Sequence, residues 1–350
     1  MLIFRKEVRP LNGHFLSRHH ATFTATYSRR RRAVKNKIQL QKGLSLSQFI
    51  DKYGTEEQCR EVVEQHRWPV GFVCPKCGHK DSLAYLRGAV KVFQCRGCRT
   101  QTTLTEGTIF HSTKLQLTIW FQAMFFVTQN KNHVSALELK RHLGVCYRTA
   151  WRIKQKLMQV MYEREKPTVL SGRVEVDDAY LGGEHPGGKA GRGSENKSPF
   201  IAAVQTNERG NPVYAVFSPV RSFSLEDVTS WAKRSLSPRT TVVSDGLACF
   251  NGVTENGCEH QKHVVGKKRR STDMDCFTWI NTVLGNLKTA ITGTYHAFDF
   301  AKYGYRYLGE HQYRFNRRFD LAAMFTRLCS AAAKSGKRTE PWLRLAHAED

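Results

Sequence analysis

The chain has 350 residues, and 55 Lys or Arg against 30 Asp or Glu give it a formal net charge of +25. Such a charge attracts polyanions, so nucleic acid is the expected partner. The most apolar stretch, residues 115–128, is shorter than the ~20 residues that a membrane span needs. The ten cysteines include two CxxC pairs, which favour a metal site in a reducing compartment over a disulfide framework.

Residues 1–42 contain eleven Lys or Arg and a single acidic residue, Glu7. Residues 29–32 are all arginine, which is too much charge to pack into a core, so we expect a disordered basic arm. The Arg-rich, acid-poor composition is also that of a mitochondrial presequence. A third interpretation is an upstream extension that the working protein does not need, and all three stay open.

Apolar residues recur at helical spacing over residues 47–65, which predicts a helical lead-in within residues 43–70. Four cysteines follow with the spacing C-x2-C-x17-C-x2-C. Two thiolates on each of two tight turns can complete a closed tetrahedron around one Zn²⁺, so the spacing predicts a structural zinc ribbon over residues 71–106. Four buried free cysteines are the alternative. The predicted zinc ligands are Cys74, Cys77, Cys95 and Cys98.

Helical patterns over residues 114–161 predict an all-α helix-turn-helix domain that spans residues 107–165. Ser135 begins a capping box, Gly144 ends that helix, and a third helix begins at Tyr147. The third helix has a basic face opposite an apolar stripe, and we expect its early residues to reach the major groove. An ordinary helical hairpin with a solvated basic face is the alternative. The candidate DNA-contacting residues are Tyr147, Arg148, Arg152 and Lys156.

After Pro167, short β-rich runs alternate with helical stretches and predict a mixed α/β domain over residues 166–322. Asp177 and Asp245 each stand at the end of an apolar strand. Carboxylates placed in this way can converge on one point and bind Mg²⁺ through oxygen. Taken singly, an Asp at a strand end is more often a turn or cap residue.

A third ligand can come from the helix that is predicted to begin near Asn281. Lys288 follows two helical turns later and therefore shares a face with Asn281. Asn281 can offer its amide oxygen to a metal while Lys288 faces the DNA backbone. The alternative for Asn281 is a helix N-cap.

Several motifs together resemble one known family. They are RWP at 67–69 leading into GFVCPKCG at 71–78, VDDAYLGG at 176–183, VSDG at 243–246, INTVLGNLK at 280–288, GTYH at 293–296, YL at 307–308 and YRFNRR at 313–318. Their order and spacing are similar to those of bacterial insertion-sequence transposases that place a zinc ribbon before a DDE-type domain. The resemblance covers residues 44–321, so the basic arm lies outside it.

The resemblance implies an RNase H-like catalytic fold that cuts and joins terminal inverted repeats, using two Mg²⁺ or Mn²⁺ ions. In one subgroup an Asn replaces the third acid and a Lys follows it. Asp177, Asp245 and Asn281 are carried over as metal ligands, and Lys288 as a DNA-contacting helper. A histidine near the site matches His263. The residues expected to clamp phosphates are Lys288, Arg314, Arg317 and Arg318.

Two positions depart from the family's pattern. Asp178 stands where the family commonly has Glu. Gly309 stands within the last predicted helix where another residue is usual, at a cost of ~1 kcal/mol of helix stability. Neither change removes a predicted catalytic residue.

We therefore expect an α/β catalytic domain with an RNase H-like mixed sheet flanked by helices, preceded by a small zinc ribbon and an all-α helix-turn-helix domain. Residues 323–350 are expected to form a C-terminal tail, which is polar and loose after Ala333. The predicted function is a cytoplasmic, nucleoid-associated DNA transposase that acts as a dimer or larger assembly on element ends and target DNA. The alternatives are a non-catalytic DNA-binding regulator derived from a transposase, a structure-specific nuclease, and an RNA-binding protein associated with the ribosome.

Overall fold

The computed structural model describes residues 41–88, 90–182, 197–264, 274–295 and 298–345. The predicted basic arm, residues 1–42, lies outside the described residues except for its last two positions. Among the helices that are described, none is long and apolar enough to cross a membrane.

The lead-in consists of two helices where the sequence pattern indicated one continuous stretch. Helix α1 (Leu46–Tyr53) ends at Gly54, and Thr55 begins α2 (Glu56–Arg67) with a capping box to Gln58. A three-stranded antiparallel sheet follows, with the strand order β1-β2-β3. Its strands are β1 (Ser82–Arg87), β2 (Val90–Cys95) and β3 (Gln101–Thr103).

Three further helices follow the ribbon, at the positions that the sequence predicts. They are α3 (Leu117–Gln129), α4 (Ala136–Leu143) and α5 (Tyr147–Glu165). The Ser135 hydroxyl accepts a hydrogen bond from the Glu138 amide at 3.1 Å and so caps α4. Gly144 ends that helix in the left-handed conformation, with φ at 64°, which glycine adopts without strain.

The second half of the chain is built on a five-stranded mixed sheet. Its order is β6-β5-β4-β7-β8, in which β5 is antiparallel to its neighbours and the pairs β4–β7 and β7–β8 are parallel. The strands are β4 (Arg173–Leu181), β5 (Ser198–Thr206), β6 (Pro212–Pro219), β7 (Thr241–Ser244) and β8 (Glu259–Lys262). The helices are α6 (Leu225–Ser235), α7 (Thr278–Thr294), α8 (Phe300–Asn316), α9 (Leu321–Lys334) and α10 (Glu340–Leu345).

Other elements cover the sheet on both faces. Because side chains alternate along each strand, successive residues enter one core and then the other. On one face, Ala179 and Val243 share an apolar core with α7 and with Leu308 of α8. On the other face, Val174 and Val242 pack with α6 and with the 3-10 helix Ala248–Asn256. The two-layered covering explains why these strands read as nearly continuous apolar runs.

The edge strand β6 is sealed by polar side chains of α8. The Asn316 amide accepts from the Ala215 backbone amide at 2.8 Å and donates to the Ala215 carbonyl at 3.0 Å. Gln312 accepts from the Phe217 amide at 3.0 Å. These bonds satisfy backbone groups that an exposed edge strand would offer to another chain.

The predicted C-terminal tail, residues 323–350, forms helices in the part that the structure describes, and the expectation of a loose segment after Ala333 is wrong for residues 340–345. Helix α9 buries Phe325 and Leu328 in the same core as α1–α5, and residues 340–345 form α10. Only polar residues past Ala333 suggested a tail, while the apolar face of α9 is fully used by tertiary packing.

Candidate active site and nucleic-acid interface

Three aspartates converge on the mixed sheet, where β7 ends beside the central strand β4. Each of Asp177, Asp178 and Asp245 places a carboxylate oxygen within 4.8 Å of the other two. Strands β4 and β7 run parallel with Glu175 opposite Val243. Asp245 follows the last residue of β7, as expected. Asp177 is the fifth of the nine residues of β4, so its predicted place at a strand end is wrong. Gly246 follows with φ at 86°, and the Leu247 amide donates to the Asp245 carboxylate at 3.2 Å, which fixes the turn. The convergence expected for Asp177 and Asp245 is therefore present.

Asp178 was not among the predicted ligands. Neighbouring strand residues ordinarily point to opposite faces, so the pattern gave no reason to place Asp178 beside Asp177. In the structure Asp178 is 3% exposed, and its backbone amide donates to the Asp177 carboxylate at 3.0 Å. The signal available in the sequence is the Asp-Asp pair itself.

The donor chemistry of this cluster fits a hard divalent cation. Three carboxylates this close repel one another, and a positive ion between them relieves that repulsion. Carboxylate oxygens are the preferred ligands of Mg²⁺ and Mn²⁺. The three aspartates could therefore hold such an ion.

Asn281 lies inside α7 and not at its cap. The helix begins at Thr278 with Phe277 as the N-cap residue, and the Asn281 side-chain amide donates to the Phe277 carbonyl at 2.9 Å. The N-cap alternative for Asn281 is therefore wrong. Lys288 is exposed two turns further along the same helix.

His263 lies beside Ser244, the residue before Asp245. Its backbone amide donates to the Ser244 carbonyl at 2.9 Å, which extends the alignment of β8 with β7. The His263 ring contacts the Phe277 ring edge-on, with centroids 6.1 Å apart. His263 thus stands between the end of β7 and the first turn of α7.

The four predicted zinc ligands form one cluster in the ribbon. Their sulfur atoms lie within 4.8 Å of one another, and the Cys74–Cys98 and Cys77–Cys95 sulfurs are each 3.6 Å apart. Sulfurs at the corners of a zinc tetrahedron with Zn–S bonds of about 2.3 Å are separated by about 3.8 Å. The Cys98 amide points to the Cys95 sulfur at 3.5 Å, as at a ligand-bearing turn. The residues present therefore fit Zn²⁺.

The first turn of α5 is exposed and basic. Tyr147 is 53% exposed, and the side chains of Arg148 and Arg152 are 70% and 40% exposed. Both guanidinium groups bind Glu340 at the start of α10, and the Arg148 Nε lies 3.1 Å from each Glu340 carboxylate oxygen. The C-terminal segment that the sequence left as a tail thus contacts the predicted recognition residues.

Lys156 does not join that basic face. Its side chain is 7% exposed and its ammonium donates to the Ile109 carbonyl at 2.5 Å. Burial lowers the pKa of Lys156 to about 8. Residues 153–161 of α5 are all buried, because α8 and α9 cover the sides that a simple helical hairpin would leave to solvent.

The three arginines expected to clamp phosphates bind groups within the protein instead. Arg314 donates to four backbone carbonyls in the last turn of α3 and just after it, among them Val127 and Asn132. Arg317 pairs with Glu165 of α5, and Arg318 donates to carbonyls of β6. Arginines in a motif look alike in sequence whether they cap a helix end, join two helices or face a phosphate.

Glu175 is a further residue of the site that sequence reasoning missed. It is 1% exposed on β4, two residues before Asp177. One of its carboxylate oxygens accepts hydrogen bonds from the backbone amides of Trp279 and Ile280, at 3.0 and 2.9 Å. No local pattern links residues about a hundred positions apart, so only the fold reveals this contact.

Comparison with known proteins supports the same interpretation of both halves of the chain. An ISXO2-like transposase domain matches residues 169–316 and a transposase zinc-ribbon domain matches residues 54–101. A protein of Halobacterium salinarum, described as an uncharacterized protein in transposable element ISH50, is 24% identical over 236 residues. That alignment covers 62% of this chain and 76% of the relative.

Two solved structures of the Mos1 transposase also match, and both are paired-end complexes, one with the left transposon end and one with Mn. They are 10% and 11% identical, cover 62% of this chain and 79% of theirs, and have a TM-score of 0.20. We base the assignment on the two domain matches, which together span more than half of the 350 residues. The chain belongs to the insertion-sequence transposases that join a zinc ribbon to an ISXO2-like transposase domain.

Proposed function

We propose that this chain is an active transposase, which binds the terminal inverted repeats of an insertion sequence and catalyses metal-dependent strand cleavage and strand transfer. The observation that carries the proposal is the convergence of Asp177, Asp178 and Asp245 within 4.8 Å. A regulator that had lost its chemistry would not need three carboxylates held against their mutual repulsion.

The order of the sheet supports an RNase H-like catalytic domain. Three strands joined as antiparallel hairpins, β4, β5 and β6, are followed by β7 and β8, which pair in parallel on the other side of β4. This order places β7 beside β4, so that Asp245, which follows the last residue of β7, lies near Asp177 in the middle of β4.

Two Mg²⁺ or Mn²⁺ ions would be held by Asp177 and Asp245, with Asn281 as the third ligand and Asp178 beside them. The chemistry that such ions supply when bound is activation of the attacking oxygen and stabilisation of the leaving oxygen of a phosphodiester. The protein's own contribution is to fix the ligands on adjacent strands and on α7, so that the reacting oxygens meet them in one geometry. Lys288, exposed on α7, would bind the DNA backbone beside the site.

DNA recognition is assigned to the helix-turn-helix formed by α4 and α5. The residues that would reach bases or phosphates are Tyr147, Arg148 and Arg152 in the first turns of α5, where the helix is exposed. The ribbon, held by one structural Zn²⁺, would add a second DNA-binding module. Two element ends must be processed together, so we propose a homodimer or larger assembly that works on DNA in the cytoplasm.

A transposition assay in cells tests the proposal. The gene is supplied with its own flanking DNA on a donor plasmid, as wild type and as Asp177→Ala. We expect the wild type to move the flanked segment and the variant to leave it in place. If neither moves it and the purified protein still binds the flanking ends, the chain is a DNA-binding regulator derived from a transposase and the proposed activity is wrong.

A further inference from the structure

Helix α7 carries the proposed third ligand, yet the side chain of its N-cap residue makes no hydrogen bond to the helix. The first four backbone amides of any α-helix lack partners within the helix. The N-cap residue of α7 is Phe277, whose side chain cannot accept a hydrogen bond. The position of Asn281 therefore depends on what holds this end of the helix.

Glu175 supplies the missing cap from a distant strand. Its Oε2 atom accepts from Trp279 and Ile280, which are the second and third residues of α7. A carboxylate at a helix N-terminus is also favoured by the helix dipole. Because Asn281 is the next residue after Ile280, the anchored amide lies one peptide bond from the proposed ligand.

Arg173 reinforces the same contact. Its Nη1 atom donates to the Glu175 Oε1 atom at 2.9 Å, and its Nη2 atom donates to the Cys276 carbonyl at 3.1 Å. Arg173, Glu175 and Asp177 alternate along β4 and therefore share one face of the sheet. This row of polar side chains joins β4 to the beginning of α7.

We propose that Glu175 is a positioning residue, which fixes α7 against β4 so that Asn281 meets the carboxylates of Asp177 and Asp245. The inference rests on the proposed function, because it assigns Asn281 the role of metal ligand. Glu175 itself binds backbone amides and acts on the site through α7. Loss of such a supporting contact lowers metal affinity by about 10-fold or more in metal sites generally.

The experiment uses the full chain with Mn²⁺ as the probe. Three variants are compared with the wild type: Glu175→Ala, which removes the acceptor; Glu175→Gln, which keeps an amide oxygen in the same place; and Glu259→Ala, an exposed control on β8. The hydrogen-exchange rates of the Trp279 and Ile280 amides show whether their hydrogen bonds to residue 175 are present. The Mn²⁺ midpoint is the Mn²⁺ concentration that gives half-saturation in electron paramagnetic resonance and half-maximal cleavage of end DNA. It measures how well the proposed site binds the metal ion.

We expect Glu175→Ala to expose both amides to exchange and to raise the Mn²⁺ midpoint by about 10-fold, while leaving affinity for end DNA unchanged. Glu259→Ala should stay near the wild type in both readouts. Glu175→Gln should fall between the wild type and Glu175→Ala, because its single oxygen can still accept from the two amides while its NH2 group faces the Arg173 donor. If Glu175→Ala does not fold, Glu175→Asp replaces it, since its side chain is one methylene too short to reach both amides.

Unchanged exchange rates in Glu175→Ala would show that Glu175 does not hold the two amides. Faster exchange with an unchanged Mn²⁺ midpoint would show that Glu175 only caps α7, and would contradict its role in positioning Asn281. Wild-type protein that binds Mn²⁺ but neither cuts nor joins DNA contradicts the proposed function alone, since the midpoint still tests Glu175. Wild-type protein that binds no Mn²⁺ contradicts both.

Discussion

Arg148, in the first turn of α5, is bound by Glu340 of α10, with its Nε atom 3.1 Å from both carboxylate oxygens. Arg152 and Arg344 bind the same carboxylate. The hydrogen bonds from Arg148, with those from the other two, lower the pKa of Glu340 to about 2. DNA phosphates must therefore compete with Glu340 for these guanidinium groups if α5 reads the element ends.

Removal of this competition should strengthen DNA binding. Glu340→Gln deletes one negative charge beside the proposed phosphate contacts, so we expect affinity for end DNA to rise by about fivefold at low salt. Arg148→Ala should lower the affinity for end DNA by about 10-fold. Because Lys156 is buried, Lys156→Ala should lower the stability of the protein and leave its affinity for DNA unchanged. Fluorescence anisotropy with labelled end DNA measures all three. Equal effects of Arg148→Ala and Lys156→Ala would contradict the assignment of the exposed face.

Zinc should be required for the fold of the ribbon. Cys95→Ser removes one of four sulfur ligands, and because a structural zinc site contributes folding energy directly, we expect loss of the metal and unfolding of the β1–β3 sheet. Metal analysis of purified protein should find about one zinc per chain in the wild type. Cys146→Ser, at an exposed cysteine outside the cluster, is the control. A wild-type protein that folds normally without zinc would refute this account of the ribbon.

A buried ion pair joins the proposed DNA-binding helix to α8. The Lys154 ammonium lies 2.5 Å from a Glu310 oxygen, and the Tyr295 hydroxyl donates to the other oxygen at 2.9 Å. Lys154→Met leaves Glu310 buried without its cation, which should lower the free energy of unfolding by about 3–5 kcal/mol. Adding Glu310→Met should restore much of that loss.

The half-exposed pair between Lys91 and Glu64 provides the matched control for this buried pair. Lys91→Met should cost at most about 1 kcal/mol, because water solvates the carboxylate that is left. Urea unfolding of the four proteins measures these differences. Similar losses for Lys154→Met and Lys91→Met would show that burial does not set the cost.

Two glycines inside helices should respond in opposite directions to alanine. At Gly309 a Cβ atom would lie 2.9 Å from the Tyr162 Cα atom and 2.8 Å from its Cβ atom, so α8 can approach α5 only without a side chain there. Among the residues that the structure describes, none has an atom within 4 Å of a Cβ atom placed on Gly285 of α7. Gly285→Ala should stabilise the protein by up to about 1 kcal/mol through helix propensity, whereas Gly309→Ala should destabilise it by about 1–3 kcal/mol. Thermal unfolding distinguishes the two, and a stabilised Gly309→Ala would disprove the close contact.

Much of the fold follows from local signals in the sequence. Ser135 and Gly144 mark the ends of α4 by capping chemistry, and the apolar runs before Asp177 and Asp245 predict the central strands. Strand β8 has no such signal, because its residues are polar and lie at the edge of the sheet. Gly309 looked unfavourable from helix propensity alone, and the reason for it is the contact with Tyr162 that only the packed fold creates.

The site was predictable to the extent that its residues belong to recognisable patterns. The four cysteines come together as their spacing predicts, and Asp177 and Asp245 converge as expected, although Asp177 lies in the middle of β4. The roles of long basic side chains were not predictable, since Arg314 and Lys156 bind backbone carbonyls of distant segments. The same holds for Glu175, whose partners lie on another element and leave no mark in the local sequence.

The measurement that tests the central claim most directly is cleavage of labelled element-end DNA by purified protein in Mg²⁺, with DNA binding measured in parallel. Asp177→Ala and Asp245→Ala each remove a carboxylate from the cluster, and Asp51→Ala removes an exposed one elsewhere. We predict that the wild type and Asp51→Ala cut the DNA, while the two site variants bind it and lose at least about 1,000-fold of the rate. Retained cleavage in either site variant would contradict the account.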